Sequence, residues 1–367
     1  MAAIKTFASL FTGGGGADIG AKAAGLELAW GVELMPEIAE VANANLGRHV
    51  KVANILDCTP SDFDRVDVLH ASPPCPNFSV AKANGAETAL DTALAAKVAE
   101  FVTVLRPEVF TLENVMEYRK SRSWAAIEDA LYSAGYWLNI EIVNFADFGV
   151  PQTRRRMIVR AIRGGWVPHL PQPVPWMSWY SAIEDILHTL PDSQFAPWQL
   201  ARLPEELRTM LVAQGKYGDN LVMAQQDKPA FTITANSNQT GVRALLVSNA
   251  KTEYSDGTRQ GDDPAFTGNG ESNGRVKAFL MGKNQDKFGD GMRYAVEPAQ
   301  TIGANEHGSR AFDGGRVVAM TPRALARFQS FPDWYQLPDS KTLAAKGIGN
   351  AVCPLGYQRI VEGLCNL

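Results

Sequence analysis

Cys75 lies in the run Ser72-Pro73-Pro74-Cys75-Pro76-Asn77-Phe78-Ser79. The apolar stretch before it, residues 66–70, predicts a buried strand, so the thiol falls at a strand's carboxyl end, where open α/β sheets form their ligand crevice. The flanking prolines stiffen its approach. Position alone allows two readings: a thiolate nucleophile, or the small buried hydrophobe that a free cysteine commonly becomes. The other cysteines are Cys58, Cys353 and Cys365. With no C-x-x-C pair among them, structural zinc and a secreted disulfide framework are disfavoured, and no metal site is expected.

Glu113 ends a second apolar stretch, in Leu112-Glu113-Asn114-Val115. A carboxylate at that depth needs a partner or must keep its proton, which makes it an acid or hydrogen-bond donor to a ring nitrogen, or else an ordinary capping carboxylate. Gln152-Thr153-Arg154-Arg155-Arg156 precedes a further strand, and alternation sends Arg154 and Arg156 to one face and Arg155 to the other. Two guanidiniums on one face suit a carbonyl oxygen or a phosphate. As an isolated run they read better as a solvated surface cluster.

Phe11-Thr12-Gly13-Gly14-Gly15-Gly16 sits between the first strand and the first helix, where missing Cβ atoms permit a tight turn and close approach of a ligand to the backbone. Glu33 ends the next strand, placed to bond ribose hydroxyls. Together they suggest an adenosine-bearing cofactor, the other reading of the glycines being a plain strand–helix turn. Asp18 and Ile19 occupy the third-glycine positions of G-x-G-x-x-G, and there is no G-K-[ST], so nicotinamide dinucleotides and ATP are disfavoured.

The elements that must position these residues follow from the apolar pattern. Strands are predicted at 6–11, 28–32, 66–70, 109–112, 138–143 and 157–161, and helices at 19–24, 36–46, 89–105 and 124–134. That alternation predicts an open, mostly parallel sheet covered on both faces. After Gly164 the composition changes to clustered Pro and Trp, the mark of a linker before a second unit. That unit repeats Lys228-Pro229-Ala230-Phe231-Thr232 as Asp263-Pro264-Ala265-Phe266-Thr267 and Glu297-Pro298-Ala299-Gln300-Thr301, each copy followed by a Gly/Asn-rich stretch and a basic-apolar run. Short strands joined by flexible loops are expected there, either as plain scaffold or as a ligand-contacting surface. The 367 residues thus divide at 1–164, 165–319 and 320–367. Hydrophobic residues at 46% and charged residues at 20% place the chain among folded globular proteins. A formal net charge of −4 carries no signature of nucleic-acid binding. No signal-peptide pattern and no apolar run of about 20 residues is read, so a cytoplasmic protein without a membrane span is expected.

In this order the motifs resemble those of the cytosine-5 DNA methyltransferases over residues 4–163 and 320–364. The family's F-x-G-x-G-G matches Phe11 to Gly16, its P-C Pro74-Cys75, its E-N-V Glu113 to Val115, and its Q-x-R-x-R Gln152, Arg154 and Arg156. Thr321-Pro322-Arg323 with Phe331-Pro332 is similar to its ninth block and Gly349-Asn350-Ala351-Val352 to its last. The resemblance implies a Rossmann-like S-adenosylmethionine-dependent methyltransferase domain carrying an inserted, smaller β-rich target-recognition domain. It further implies that Cys75 attacks carbon 6 of a cytosine flipped out of duplex DNA, Glu113 holds a proton on ring nitrogen 3, and Arg154 and Arg156 fix oxygen 2 and the thiol environment.

The cofactor set it implies is Phe11, Thr12, Gly13, Gly14, Gly15, Gly16, Glu33, Leu34, Asn54, Ile55, Pro74, Leu94, Asn350 and Val352. Asn54 stands where the family has an acidic residue for the adenine amino group, and Pro76-Asn77 replaces the common glutamine after the cysteine. Ser79 and the repeated Arg243, Arg275, Lys277 and Arg316 are the expected DNA contacts. A monomeric bacterial or phage modification enzyme fits this reading, with a cognate restriction endonuclease as a further partner. The alternatives are a transfer-RNA cytosine-5 methyltransferase, for which the 165–319 region is long, and a catalytically silent DNA-binding member, against which Cys75, Glu113 and Arg156 count.

Overall fold

The computed structural model of the chain describes residues 4–74, 87–193 and 316–365, and between 194 and 315 five short strands. The N-terminal part alternates β1 (Thr6–Leu10), α1 (Gly16–Ala23), β2 (Glu27–Glu33), α2 (Pro36–Leu46), β3 (Val50–Val52) and β4 (Val68–Ala71). It continues with α3 (Ala89–Leu105), β5 (Val109–Asn114), α4 (Arg122–Ser133), β6 (Tyr136–Asn144), β7 (Gln152–Thr153) and β8 (Arg155–Arg163).

Seven of these strands form one sheet in the order β3-β2-β1-β4-β5-β8-β6. From β3 to β5 every pair is parallel, and β8 runs antiparallel to both its neighbours. This is the expected mixed α/β, Rossmann-like fold. β4 and β5 are buried along their whole length, the signature of central strands covered on both faces. α2 and α3 span the predicted residues, because local signals fix both starts. Pro36 occupies the first turn of α2, and a reciprocal Thr88–Asp91 capping box opens α3. β3 is too short to leave a periodic pattern and was not expected. β4 lies further along the chain than residues 66–70, which leaves only Ser72 to Pro74 between the strand and Cys75.

The chain builds outward from β1 to β3, then restarts on the other side of β1 with β4. That reversal opens the crevice at the carboxyl ends of β1 and β4. One core lies between the sheet and the α3/α4 side and includes Leu69, Val98, Phe101 and Phe110. The other includes Phe7, Val68, Tyr357, Ile360 and Val361. The second core therefore depends on the end of the chain. After α5 (Trp179–Ile183) come α6 (Pro322–Phe328), α7 (Lys341–Asn350) and α8 (Pro354–Cys365). α8 lies against α1 so closely that a Cβ on Gly20 would come within 2.5 Å of the Pro354 carbonyl oxygen.

In the region that follows Gly164, β9 (Leu246–Ser248), β10 (Val276–Met281) and β11 (Met292–Tyr294) form an antiparallel sheet in the order β11-β10-β9. β12 (Ala299–Gln300) pairs in parallel with β7, and β13 (Arg310–Asp313) with β14 (Arg316–Ala319) in antiparallel fashion. β10 and β14 fall on two of the three basic-apolar runs, and β12 inside the third Pro-Ala-x-Thr copy.

Candidate active site

β5 and β8 bring the charged residues together. Their antiparallel register sets Asn114 opposite Met157, so Glu113 and Arg156 emerge at adjoining ends. Arg156 Nε lies 3.1 Å from Glu113 Oε1, and Arg154 Nε 3.8 Å from the same oxygen. The Glu113 side chain is only 8% exposed and those of Arg154 and Arg156 4% and 11%. A carboxylate this deep is tolerable because two guanidiniums face it. Arg155 is exposed, as strand alternation requires. The expectation of a solvated arginine cluster therefore fails for Arg154 and Arg156 and holds for Arg155.

Arg154 also reaches away from the carboxylate, donating from Nη1 to the Gly349 carbonyl oxygen at 3.1 Å. It thereby ties the end of α7 to the Glu113 site. Beside it Cys353 is fully buried, and burial pushes its thiol up to about 12, so it stays protonated and inert. Asn114 Nδ2 donates to the Pro73 carbonyl oxygen at 3.1 Å, which fixes the approach to Cys75 against the end of β5. Cys75 itself and Ser79, with residues 75–86, lie outside the described residues, as do Arg243 and Arg275. Lys277 and Arg316 are placed only as backbone, on β10 and β14.

The glycine turn sits at the carboxyl end of β1. Gly15 adopts φ +78°, which a side chain would strain, and caps α1. Gly16 is needed for a different reason: a Cβ there would fall 2.1 Å from the Val352 carbonyl oxygen. The expected close approach at Gly16 is thus to the chain's own C-terminal segment. Tyr335 from that segment donates to the Gly14 carbonyl oxygen at 2.6 Å. Glu33 accepts from the backbone N–H of Gly13 at Oε2 and of Met35 at Oε1, each at 2.9 Å. Both oxygens are fixed, and each keeps a lone pair for a hydroxyl of a vicinal diol.

Leu34 follows it, 64% exposed, and offers a bare apolar surface beside that carboxylate. Just after β3, Asn54 caps a short helical turn, its Oδ1 accepting from Leu56 N–H at 3.2 Å, with Ile55 buried behind it. A diol acceptor flanked by an apolar platform and a polar edge fits a purine nucleoside. Phe11, Thr12 and Gly13 share a cavity with Asn350 and Val352. Leu94 faces inward from α3 as part of the main core. Among the described residues no group of three or more His, Cys, Asp or Glu could hold a metal ion. None of the described helices is long and apolar enough to cross a membrane.

The sequence reading missed a set of polar residues that line or support this crevice. His70 on β4 is 1% exposed, its Nδ1 lies 2.9 Å from Thr111 Oγ1, and that hydroxyl is 2.8 Å from Tyr357 OH. Burial alone pushes the imidazole down to about 3 and keeps it neutral. Asp18 is fully buried in α1, with Oδ1 accepting from Ser9 Oγ at 3.0 Å and lying 2.9 Å from His49 Nε2. A polar residue inside an apolar strand was the only signal for His70. Nothing in sequence spacing links it to Tyr357, 287 residues away.

Residues 5–366 match the protein family described as C-5 cytosine-specific DNA methylase. The type II methyltransferase M.NgoFVII of Neisseria gonorrhoeae is 25% identical over 375 residues, covering 97% of this chain and 85% of that protein. M1.HphI of Haemophilus parahaemolyticus, also a type II methyltransferase, is 25% identical and covers 99% and 87%. Among solved structures, the Dnmt2 methyltransferase of S. pombe superposes with a TM-score of 0.56 at 13% identity, over 98% of this chain and 97% of that one.

Proposed function

The chain belongs to the C-5 cytosine-specific DNA methylase family, and on that premise we propose that Cys75, Glu113, Arg154 and Arg156 are the residues with which it works. The protein is an S-adenosylmethionine-dependent DNA (cytosine-5)-methyltransferase. The observation that carries the residue assignment is the buried Glu113–Arg156 pair at 3.1 Å, tied through Asn114 to the backbone leading into Cys75.

Carbon 6 of cytosine is a weak electrophile. Attack by the Cys75 thiolate forms a sulfur–carbon bond and pushes the ring's π electrons toward nitrogen 3 and oxygen 2. Glu113 holds the proton at nitrogen 3 and Arg156 faces oxygen 2, so the displaced charge is met by groups already in place. Arg154 positions Glu113 from behind while its other nitrogen holds Gly349. S-adenosylmethionine, when bound, supplies an electrophilic methyl group for carbon 5. Loss of the carbon 5 proton then returns electrons to the ring and breaks the Cys75 bond. Because the target atoms are stacked inside a duplex, the base must leave the helix to reach Cys75.

The cofactor is held by the Phe11–Gly16 turn, Glu33 at the ribose, Leu34, Asn54 and Ile55 at the base, and Pro74, Leu94, Asn350 and Val352 around the remainder. Residues 1–164 and 320–367 form the catalytic domain, and 165–319 a target-recognition domain. In the latter Arg243, Arg275, Lys277 and Arg316, at equivalent places in three repeats, contact phosphates or base edges, with Ser79 contributing from the catalytic side. Support for that division comes from β9, β10 and β14, short strands in a region of repeated motifs. The enzyme acts as a cytoplasmic monomer beside a cognate endonuclease, a reading supported by the type II names of its relatives.

Incubation with cofactor and a duplex containing 5-fluorocytosine tests the mechanism, since fluorine cannot leave carbon 5 and the adduct persists. A covalent adduct is expected with the wild type and none with Cys75→Ala. No adduct in any sequence context, or one that survives the substitution, overturns it.

A further inference from the structure

Two buried polar atoms near the glycine turn have no use in the mechanism above. A cavity of about 20 Å³, room for one water-sized group, is lined by Ser9, Phe11, Asp18, His70, Asn350 and Val352 among others. Asp18 and His70 are 0% and 1% exposed, yet Asp18 Oδ2 and His70 Nε2 have no hydrogen-bond partner among the described residues. Neither side chain is free to turn away. Asp18 is anchored through Oδ1 to Ser9 and His49, and His70 through Nδ1 to Thr111 and, beyond it, Tyr357. Leaving such atoms unpaired is costly, so a group that bonds both gains more than it would from exposed partners.

Their chemistry selects that group. A carboxylate oxygen only accepts. A neutral imidazole whose Nδ1–H points to Thr111 also accepts at Nε2, and burial keeps His70 neutral. Two acceptors, one of them charged, call for a compact cationic donor and repel an anion. The same cavity is lined by Phe11, Gly13, Asn350 and Val352, which the cofactor reading assigns to S-adenosylmethionine. The amino-acid tail of that molecule carries a primary ammonium and a carboxylate on one carbon, and of the two only the ammonium can donate to this pair of acceptors.

We propose that Asp18 and His70 together seat the α-ammonium of S-adenosylmethionine, an inference that rests on the cofactor assignment above. Asp18 supplies the counter-charge and His70 a directed lone pair. The Thr111–Tyr357 pair sets the imidazole's orientation from the C-terminal helix.

Calorimetric titration with S-adenosylhomocysteine and with its des-amino analogue, in which hydrogen replaces the α-ammonium, separates this role from a structural one. The wild type is expected to prefer the amino ligand by about tenfold or more. Asp18→Asn, nearly isosteric, presents an N–H to the ammonium and is expected to bring that preference to about twofold or less. His70→Leu is expected to do the same, and His70→Gln, whose amide can accept again, to recover part of it. Binding of the des-amino ligand by each variant stays within about twofold of wild type, and thermal melts confirm folding.

Equal loss of both ligands assigns the pair a purely structural role and overturns the proposal. So does a preference that both Asp18→Asn and His70→Leu retain, or a wild type that binds the two ligands alike. If neither ligand binds the wild type, the cofactor assignment itself fails, a result distinct from all of these.

Discussion

The two halves of the crevice are built from different materials. On the β1–β2–β3 side, the groups assigned to the cofactor are held by backbone: Gly13 and Met35 N–H fix Glu33, and the Val352 carbonyl presses on Gly16. On the β5–β8 side, side chains hold side chains, and one carboxylate is balanced by two guanidiniums across an antiparallel register. The parallel half delivers strand ends in a row at one edge, which suits an extended nucleoside. The antiparallel half turns back on itself, so residues distant in sequence meet as a compact charged cluster. The first design is sensitive to bulk at the glycines, the second to loss of any one charge.

Breaking the charged half should give the largest effect. Glu113→Gln removes the group assigned to hold the proton at nitrogen 3 and leaves Arg156 buried beside a neutral amide. A fall in kcat of about 10²- to 10⁴-fold is expected, with S-adenosylhomocysteine affinity nearly unchanged. Methyl transfer measured at saturating cofactor checks it; a matching loss of cofactor binding would erase the distinction between the halves.

Gly16→Ala breaks the backbone half. The new methyl would lie 2.1 Å from the Val352 carbonyl oxygen, so the C-terminal segment must shift, at a cost of about 1–3 kcal/mol in stability. Urea melts should record that loss, together with weaker cofactor binding. Glu33→Gln is milder, since the amide oxygen can retain one of the two backbone bonds. About a tenfold loss of cofactor affinity with kcat little changed is expected by calorimetry and single-turnover kinetics.

The smallest effects are expected from pH, and they separate two buried histidines. Burial pushes the His49 imidazole down, but the hydrogen bond and charge of Asp18 more than offset that, and the net shift is upward from 6.5. Its contribution to stability is therefore full below about pH 6.5 and is lost as pH rises through the higher folded value. His70 is shifted the other way, to about 3, by burial. Between 6.5 and that value the unfolded chain binds the proton first, so stability falls on acidification. Urea midpoints from pH 5 to 9 should lose the alkaline decline in His49→Gln and keep the acid one. An unchanged alkaline limb would show that Asp18 does not hold His49.

The catalytic half was the more legible of the two. Pro74-Cys75, Glu113 and the arginine run carry chemistry in their residue types, and strand alternation correctly put Arg154 and Arg156 on one face and Arg155 on the other, though not which face is buried. Glu33 was read at its strand end for the same reason. Asp18 and His70 were not, because their meaning lies in contacts with His49, Thr111 and Tyr357 that have no fixed spacing. The glycines were read in part: a turn that admits a ligand was anticipated at Gly13 to Gly16, whereas the neighbour that requires Gly16 is Val352. β3 escaped notice because three residues cannot show a period.

What the sequence determined by itself was the set of local decisions: the apolar periods that make α2, α3 and the central strands, the caps that start them, and the motif order that marks a cytosine-5 methyltransferase. These depend on neighbours a few residues apart, and the chain states them directly. Tertiary structure alone decided which carbonyl presses on Gly16, which guanidinium takes the near side of Glu113, and that α8 should close the second core and steady His70 through Tyr357. Such pairings are set by packing and by the need to satisfy buried polar groups, and those conditions exist only once distant segments have met.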